Sequence, residues 1–590
     1  MNAFCSTRLF VACAFWVSFG WNACSQSPQS PTALPSWPRP DPAAVARWQA
    51  LRFGMFIHWG PVSLTGREIS WSRGAPTPIE VYDNLYKEFN PTNFNAGEWV
   101  GIAKAAGMKY IVLTSKHHDG FCLWDTKQTD YNIMQTPFHR DVVKELAAAC
   151  RKEGLAFGAY YSVCDWHHPD FPLTSPGGTI RRDKSDLDSY NRFLLAQISE
   201  LITNYGPLLT IWNDVPQDFQ GRGANTIKLA RSLQPDILLN NRTGDGGDYD
   251  TPEQRIGQFQ IERPWESCMT ISAHNVWAWG GAKDGVKSLA ACLAMVIRGA
   301  GGDGNVLLNV GPRPDGVIDP EQAGRLKEIG AWLAKNGESI YGTRGGPWKP
   351  TASFASTRKG NSVFLHILRS DDGVIELPAL PGKIKSASLL GGGHVESSQQ
   401  NGKLLVIVPK ASLDAMDTIV RLELDGPALD VPVLSFAPAI KAAASNIYQH
   451  DDQFGPQQAF DNDPDTRWAT DFGTKQAWIS ADLGQSKAIV GVRIQEAAPY
   501  AGRIQKFEFQ YCDGGEWKTI FTGERIGAHF EKKFDAVSAR QFRLNILDAA
   551  EGPTISDIEL VEKKATIQPV PPSAKERASS ATVGRNSVEP

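Results

Sequence analysis

Short apolar runs alternate with amphipathic helices between about residues 43 and 345, and this alternation constrains the fold more than any other feature of the chain. Parallel strands buried on both faces read as continuous apolar runs, and strands that alternate with helices indicate βαβ units. The number of repeats favours closure into a (β/α)8-like TIM barrel. We interpret as its strands Phe53–Ile57, Tyr110–Thr114, Ala156–Ser162, Leu208–Pro216, Ile237–Arg242, residues 260–265 and Asn305–Val310, and expect one more strand within residues 269–279.

The predicted strands end in polar and aromatic residues that a hydrophobic core does not favour. In an α/β barrel, the residues just past each strand stand at the catalytic face. A single buried His or Asp is usually a hydrogen-bonded structural group, but six polar strand ends together predict a polar pocket with aromatic walls. These ends are His58-Trp59, His117-His118-Asp119, Tyr160-Tyr161, Trp212-Asn213-Asp214, Arg242 and Glu266.

Charge and composition narrow the chemistry of this pocket. The net charge of -4 and the lack of a Lys/Arg stripe in the sequence argue against a nucleic-acid partner, and 18 tryptophans supply rings that stack against sugars. A metal-dependent barrel hydrolase would place a His-x-His on the first strand, where this chain has only His58. The other class of barrel hydrolase uses two carboxylates, aromatic walls and His or Arg donors. We therefore expect a glycosidase without a catalytic cofactor.

Four co-linear motifs resemble those of a known family. They are Phe56–Gly60, Lys116–Phe121, Ile211–Asp214 and Gly304–Pro312. In their order and spacing over about residues 43–430 they resemble the α-L-fucosidases of glycoside hydrolase family 29. The resemblance implies an exo-acting, retaining enzyme that removes terminal α-L-fucose from oligosaccharides or glycoconjugates through a covalent glycosyl-enzyme.

The resemblance also implies roles for individual residues. Asp214 matches the nucleophile of the family, and Trp212 matches a wall of the sugar pocket. The residues that match fucose-binding positions are His58, His117, His118, Tyr160 or Tyr161, and Arg242, with Glu68 and Trp71 matching the pocket rim more loosely.

The general acid/base has two candidates in the sequence. Glu253 follows Arg242 much as the acid follows a sugar-binding Arg in some family members, and Glu266 ends the strand that we place at residues 260–265. We favour Glu253, because a loop Glu can reach over the leaving group and an apolar neighbourhood raises its pKa, as an acid requires. Glu266 stays the rival.

Two other functions fit the same barrel. A related α-L-galactosidase would differ in whether the pocket accepts a hydroxyl at C6 of the sugar. A catalytically silent fucose-binding lectin would keep the pocket without turnover, and the presence of Asp214 and two acid candidates argues against it.

Two β-rich segments follow the barrel. Residues 346–428 read as short strands with turns, typical of a β-sandwich. Residues 441–562 resemble a discoidin-type β jelly roll of the carbohydrate-binding family 32 type, on Ala459–Trp468, Trp478–Gly484 and Ile555–Leu560. An Asp/Thr-rich turn suits a structural Ca²⁺, and the resemblance implies a late Glu that closes the site. The expected ligands are Asp461, Asp463, Thr466 and Glu559, and Tyr500 and Trp517 are candidate sugar-stacking residues.

The ends of the chain read as targeting and tether segments. Residues 1–24 have the features of a signal peptide, with Arg8 before an apolar run too short to span a bilayer. We expect export to a bacterial-type periplasm or cell surface, and Cys24 permits a lipid anchor. Residues 25–42 form a predicted linker and residues 563–590 a predicted disordered tail. Six cysteines remain after the signal, without metal-binding spacing, and we interpret them as mostly buried thiols.

Overall fold

The N-terminal domain is built on a parallel β-sheet. The computed structural model describes residues 37–174, 180–216, 219–256, 258–434, 440–451, 454–461, 466–498 and 500–563. Within this part, the parallel strands are β1 (Phe53–Ile57), β2 (Tyr110–Lys116), β3 (Ala156–Ser162), β4 (Thr210–Asp214), β5 (Leu238–Leu239), β6 (Glu266–Thr270) and β7 (Asn305–Val310). They are hydrogen-bonded in the order β5-β4-β3-β2-β1-β7-β6.

Eight α-helices accompany this sheet within the described residues, and the last six of them pack against its outer face. They are α1 (Pro42–Leu51), α2 (Ile79–Tyr82), α3 (Ala96–Ala105), α4 (Val142–Glu153), α5 (Leu187–Tyr205), α6 (Gly223–Leu233), α7 (Leu289–Gly301) and α8 (Pro320–Asn336). Helix α5 shows why they form: Asp186 caps its N-terminus by accepting the N–H groups of Asp188 and Ser189, and its apolar stripe is buried. Helix α5 therefore follows the predicted amphipathic pattern.

A short segment closes the ring between β5 and β6. Residues 249–253 make single parallel bridges to both sides, pairing Asn240 with Tyr249, Asp250 with Trp265, and Glu253 with Cys268. This segment takes the remaining position of an eight-membered ring, so the barrel prediction is confirmed. It also carries Glu253 to the same end of the barrel as the strand ends.

The sheet separates two hydrophobic cores. The outer core lies between strands and helices, whereas the inner core fills the barrel with large rings, among them Phe56, Tyr110, Tyr160 and Trp212. Gly54 on β1 makes room for one of them, since a Cβ there would lie 2.5 Å from the Tyr110 ring. The barrel interior is therefore a packed core below the pocket.

Two predicted strands are misplaced, and the one predicted at Ile237–Arg242 is reduced to Leu238–Leu239 because a 3-10 turn begins at Asn241. The strand expected at residues 260–265 begins instead at Glu266, directly after Pro264 and Trp265, because proline has no N–H to donate to a strand ladder. Residues 271–279, all of them described, run as a loop apart from one isolated bridge. Side chains bind the backbone of this loop in place of a neighbouring strand: Glu68 accepts the N–H groups of Trp277 and Ala278, and Lys287 donates to the carbonyl of Ser272 in the loop and to that of Thr270 at the end of β6.

Two antiparallel sheets follow the barrel. Their strands are β8 (Arg344–Gly345), β9 (Phe354–Lys359), β10 (Ser362–Ile367), β11 (Val374–Pro378), β12 (Ile384–Leu389), β13 (Glu396–Gln400), β14 (Lys403–Ile407) and β15 (Thr418–Leu424). One sheet has the order β12-β15-β10-β9-β8 and the other β11-β14-β13, with a shared apolar core. This is the predicted β-sandwich.

The C-terminal module is a single antiparallel β structure with its own core. Its strands are β16 (Lys441–Ala444), β17 (Trp468–Ala469), β18 (Ala477–Glu496), β19 (Ile504–Asp513), β20 (Glu516–Gly523), β21 (Phe530–Ala549) and β22 (Thr554–Glu562). They pair in the order β17-β22-β18-β21-β19-β20, and β16 pairs with β18. The discoidin-like fold class is confirmed.

The described cysteines are free thiols, and five of the six are buried, as expected. Across the described residues, the helices are all too short or too polar to cross a membrane. The predicted signal peptide, the candidate lipidation site Cys24 and most of the linker and tail lie outside the described residues.

Candidate active site

Three imidazoles from the ends of β1 and β2 stand together at the barrel mouth. The chain leaves β2 at Lys116, so both His117 and His118 face the pocket, and Gly120 makes the bend at a φ of +83°. The ring centroids of His117 and His118 are 3.9 Å apart, and those of His58 and His117 are 5.5 Å apart. The carboxyl ends of β1 and β2 thus bring His58 and His117, which are 59 positions apart in the sequence, to one mouth of the barrel, as predicted from the polar strand ends.

Burial keeps these imidazoles neutral. It lowers the pKa of His58 to about 3 and that of His118 to about 4, and it lowers the pKa of His117 well below its ordinary value. Their Nδ1 atoms contact Asn309 Oδ1 at 2.6 Å, Ser70 Oγ at 2.6 Å and Ser162 Oγ at 2.7 Å, for His58, His117 and His118 respectively. Neutral rings with an occupied Nδ1 leave Nε2 for a ligand.

Asp214 lies at the end of β4 and binds three donors. Arg242 Nη1 donates to Oδ1 at 2.7 Å, the N–H of Val215 donates to Oδ1 at 2.9 Å, and the Tyr160 hydroxyl donates to Oδ2 at 2.8 Å. Burial opposes ionisation of this carboxyl, but the Arg242 charge and the hydrogen bonds outweigh it, and the pKa of Asp214 is lowered. The side chain is therefore a buried carboxylate at neutral pH.

Glu253 shares Arg242 with Asp214. Its Oε2 lies 3.0 Å from the same nitrogen, Arg242 Nη1, that binds Asp214. Burial and the neighbouring Asp214 charge raise the pKa of Glu253, although Arg242 opposes them. The two carboxyls thus stand side by side with their pKa values shifted in opposite directions, which is the pattern of an acid and a nucleophile.

Glu266 lies deeper, inside the barrel. It accepts hydrogen bonds from the Tyr110 hydroxyl and from Trp212 Nε1, the latter at 3.0 Å, and only 1 % of its surface is exposed. Burial raises the pKa of Glu266 to about 7 despite these hydrogen bonds. The structure therefore places this rival carboxyl beneath Trp212 and away from Arg242.

The pocket rim holds one exposed and one unpredicted tryptophan. Trp71 is 42 % exposed and meets the His118 ring edge-on at 5.5 Å. Trp277, which the sequence analysis did not single out, packs against His58 at 4.9 Å. Glu68 holds the Trp277 loop, since its carboxylate accepts the N–H groups of Trp277 and Ala278 at 2.8 and 3.1 Å. Trp277 could not be predicted at the pocket from the sequence, because it lies in a loop that has no strand periodicity and does not follow a strand end.

The structure separates the two tyrosines that the sequence left as alternatives. Tyr160 faces the pocket, whereas Tyr161 points into the outer core and donates its hydroxyl to Gln197 at 2.8 Å. Adjacent residues of a strand face opposite sides of the sheet, so only one of the two reaches Asp214. The alternative that placed Tyr161 in the pocket is therefore wrong, and the alternation of side chains along β3 explains why.

One group of side chains in the described residues has the spacing of a metal site, and it is in this pocket. His117, His118 and Asp214 each offer an atom within 4.8 Å of the others. The expected calcium ligands form no such group: Glu559 is paired with Arg493 at 2.9 Å, and Asp463 lies outside the described residues.

Near the expected calcium turn, the Thr466 hydroxyl donates to the Asp461 carboxylate at 3.0 Å. Asp557, which was not among the expected calcium ligands, lies close enough to Asp461 for the two carboxyl groups to interact electrostatically. Burial and the charges of Glu559 and Asp461 raise the pKa of Asp557 to about 7. Its position two residues before Glu559 puts it on the same face of β22.

The two candidate stacking residues of the module are covered by cations. The guanidinium groups of Arg467 and Arg503 lie 5.5 and 4.5 Å from the Tyr500 ring centroid, and that of Arg543 lies 4.3 Å from the Trp517 ring centroid. A sugar that stacked on the same ring face would compete with these arginines.

Comparison with known proteins identifies the family. Residues 21–338, more than half of the chain, match the family described as Alpha-L-fucosidase, and residues 440–560 match the F5/8 type C domain. The chain belongs to the α-L-fucosidase family. The tissue α-L-fucosidase of Macaca fascicularis is 30% identical over 419 residues, which cover 64% of this chain and 87% of that protein.

Solved fucosidases share the fold of the barrel and the sandwich. α-L-Fucosidase isoenzyme 1 from Paenibacillus thiaminolyticus aligns with a TM-score of 0.59 at 35% identity, over 65% of this chain and 99% of that chain. A family 29 fucosidase from Bacteroides thetaiotaomicron, trapped as a covalent intermediate by use of a Glu-to-Gln variant, aligns with a TM-score of 0.60 at 26% identity, over 67% and 98%. The protein is a glycoside hydrolase with α-L-fucosidase activity.

Proposed function

We propose that this fucosidase hydrolyses terminal α-L-fucose with retention of configuration, in two displacements with Asp214 as nucleophile and Glu253 as acid/base. The observation that carries the proposal is the shared contact of both carboxyls with Arg242 Nη1, at 2.7 and 3.0 Å. Their nearest oxygens cannot lie farther apart than these two distances combined. That limit is shorter than the spacing of about 6.5–9.5 Å between the carboxyl groups of inverting enzymes and allows the spacing of about 5–5.5 Å in retaining ones.

In the first displacement, the ionised Asp214 attacks the anomeric carbon while Glu253 protonates the departing glycosidic oxygen. The bond to the aglycone breaks and a fucosyl ester forms on Asp214. In the second, Glu253 takes a proton from water, the water oxygen bonds to the anomeric carbon, and Asp214 leaves as a carboxylate. The covalent intermediate trapped in the Bacteroides relative supports this course for the family.

The surrounding residues bind the sugar and exclude water. We assign His58, His117, His118 and Tyr160 to the fucose hydroxyls and Trp212 to a wall of the pocket, because these side chains border Asp214 and are buried. Arg242 covers the Trp212 ring at 5.0 Å and steadies both carboxyls. Glu266 acts below the pocket by orienting Trp212, and Trp71 forms the outer rim.

The test is hydrolysis of 4-nitrophenyl α-L-fucoside by wild type and by Asp214→Ala, Glu253→Gln and Glu266→Gln, each with and without azide. We expect azide to rescue Asp214→Ala as the β-fucosyl azide and to rescue Glu253→Gln with retained configuration. Rescue of Glu266→Gln in place of Glu253→Gln would reassign the acid. Full activity of Asp214→Ala would refute the assignment of Asp214 as nucleophile. Faster turnover of the α-L-galactoside than of the α-L-fucoside would identify the enzyme as an α-L-galactosidase.

Beyond the barrel, we propose that the module binds glycan and a structural Ca²⁺ and that the protein is exported, with Cys24 as a lipid-anchor site. The donors near the turn fit a hard cation: Asp557 Oδ1 is buried without a hydrogen-bond partner, and Asp461 is its acidic neighbour. Asp461, Thr466 and Asp557 would hold the ion, so we place Asp557 where the resemblance had implied Glu559.

A further inference from the structure

Each imidazole of the pocket uses Nδ1 to contact a neighbouring side chain whose own hydrogen bonds determine where the proton lies. We propose that Asn309, Ser162 and Ser70 are positioning residues that hold His58 and His118 as hydrogen-bond acceptors toward the substrate, and His117 as a donor. The identity of the substrate rests on the proposed function, but the proton positions are a property of the free protein.

The proton on His58 follows from the orientation of the Asn309 amide. Asn309 Nδ2 donates to the carbonyl of Trp277 at 2.7 Å, so Oδ1 is the atom that faces His58 Nδ1 at 2.6 Å. The opposite amide orientation would bring two oxygens together at Trp277. Because an amide oxygen only accepts, His58 Nδ1 must carry the proton, and its Nε2 presents a lone pair. Asn309 belongs to the Gly304–Pro312 motif, none of whose residues takes part in the two displacements proposed above.

The proton on His118 follows from the Ser162 hydroxyl. Ser162 Oγ donates its only hydrogen to the carbonyl of Cys164 at 2.7 Å. Its contact of 2.7 Å with His118 Nδ1 must therefore be an N–H donated by the ring. The Nε2 atom of His118 is then an acceptor, 3.9 Å from Oδ2 of Asp214.

His117 has the opposite arrangement. Ser70 Oγ already accepts the N–H of Asp119 at 2.9 Å, and its remaining contact is His117 Nδ1 at 2.6 Å. If His117 donated, the Ser70 hydroxyl hydrogen would be buried without an acceptor, at a cost of about 1–3 kcal/mol. Ser70 therefore donates, and His117 Nε2 carries the proton. The left-handed φ of +57° at Ser70 is the local strain that aims this hydroxyl.

This pattern has a consequence for the nucleophile. His118 Nε2 and Asp214 Oδ2 both present lone pairs, so His118 gives Asp214 no hydrogen bond, and Tyr160 is the described donor to that oxygen. A proton on His118 Nε2 would create a second donor and make the carboxylate less nucleophilic. A sugar hydroxyl between the two groups must donate to one of them, whereas a hydroxyl at His117 must accept.

The direct test is long-range ¹H–¹⁵N correlation NMR of wild type labelled at histidine, with signals assigned by His58→Gln, His117→Gln and His118→Gln. At pH 7 we expect the proton on Nδ1 for His58 and His118 and on Nε2 for His117. A proton on Nε2 of His118 or of His58, or on Nδ1 of His117, would overturn the proposal.

A matched pair at Ser162 links the proton position to the rate. Ser162→Ala removes the acceptor, so we expect the His118 signal to show Nε2–H and kcat/KM for the nitrophenyl fucoside to fall by about 10- to 100-fold, by analogy with loss of the side chain that fixes the tautomer of a metal-bound His. Ser162→Thr keeps the hydroxyl and should restore both. An unchanged His118 signal and rate in Ser162→Ala would refute the role of Ser162.

Failure of this proposal differs from failure of the proposed function. If wild type shows the expected proton positions but does not cleave the fucoside, the fucosidase mechanism is wrong and the network stands. If wild type cleaves the fucoside and His118 carries its proton on Nε2, the network is wrong and the mechanism stands.

Discussion

Removal of one hydroxyl from the pocket should move the pH range in which the enzyme works. Tyr160 donates to Asp214 Oδ2 at 2.8 Å in a buried site. A hydrogen bond to a charged group contributes about 1.5–3 kcal/mol, and one pKa unit corresponds to about 1.4 kcal/mol. Tyr160→Phe should therefore raise the pKa of Asp214 by about 1–2 units.

The direction of the change in activity follows from the roles of the two carboxyls. Asp214 attacks only when ionised, so the acidic limb of the kcat/KM profile reports its pKa in the free enzyme. Arg242 and Tyr160 lower that pKa in the wild type, and loss of Tyr160 moves the acidic limb to higher pH. The alkaline limb reports protonated Glu253, which has no hydrogen bond to Tyr160 among the described contacts, and should move much less. The assay is nitrophenyl fucoside hydrolysis across pH 3–9.

The neighbouring tyrosine is the control. Tyr161→Phe removes the same atom from the same strand, but its hydroxyl binds Gln197 in the outer core. We expect this variant to keep the wild-type profile with a small loss of thermal stability. An acidic limb that stays in place in a folded, active Tyr160→Phe, or that moves equally in both variants, would refute the role of Tyr160.

Three further predictions concern buried charges and metal. Burial raises the pKa of Glu266 in the folded protein to about 7, so the free energy of unfolding of the wild type should fall as pH rises from about 4.5 through 7. In urea unfolding, the stability of Glu266→Gln relative to wild type should therefore increase by about 3 kcal/mol between pH 4.5 and 8, and a stability difference that does not change with pH would contradict this. Lys116→Met strands the wholly buried Asp165, its partner at 3.0 Å, and should cost about 3–5 kcal/mol in the same assay, whereas Arg47→Met in an exposed pair should change little. Chelation with EDTA should leave fucoside hydrolysis unchanged and lower the melting temperature of the C-terminal module, and loss of hydrolysis would point to a metal at His117, His118 and Asp214.

Much of the barrel and its catalytic face could be predicted from local sequence. The bounds of β1, β3 and β7 match the apolar runs of the sequence, and the amphipathic stripe of α5 is buried. A parallel strand buried on both faces leaves a continuous apolar run in the sequence, and a helix buried along one stripe leaves a helical period of apolar residues, so both patterns can be recognised within a short stretch of sequence. The strand-end rule then predicts His58, His118 and Asp214 at one mouth of the barrel.

Contacts between distant parts of the chain required the tertiary structure. Barrel closure brings Asn309 to His58 across 251 positions, and the bridging segment brings Glu253 to the nitrogen that already binds Asp214. No local period encodes these pairs, because they depend on which strands become neighbours and on where a loop crosses the mouth. For the same reason, sequence alone left open whether Glu253 or Glu266 faces Arg242. The amino-acid sequence by itself determined the strands and most of the polar groups that end them, and the closed ring of strands decided which of those groups face the pocket and which of them touch.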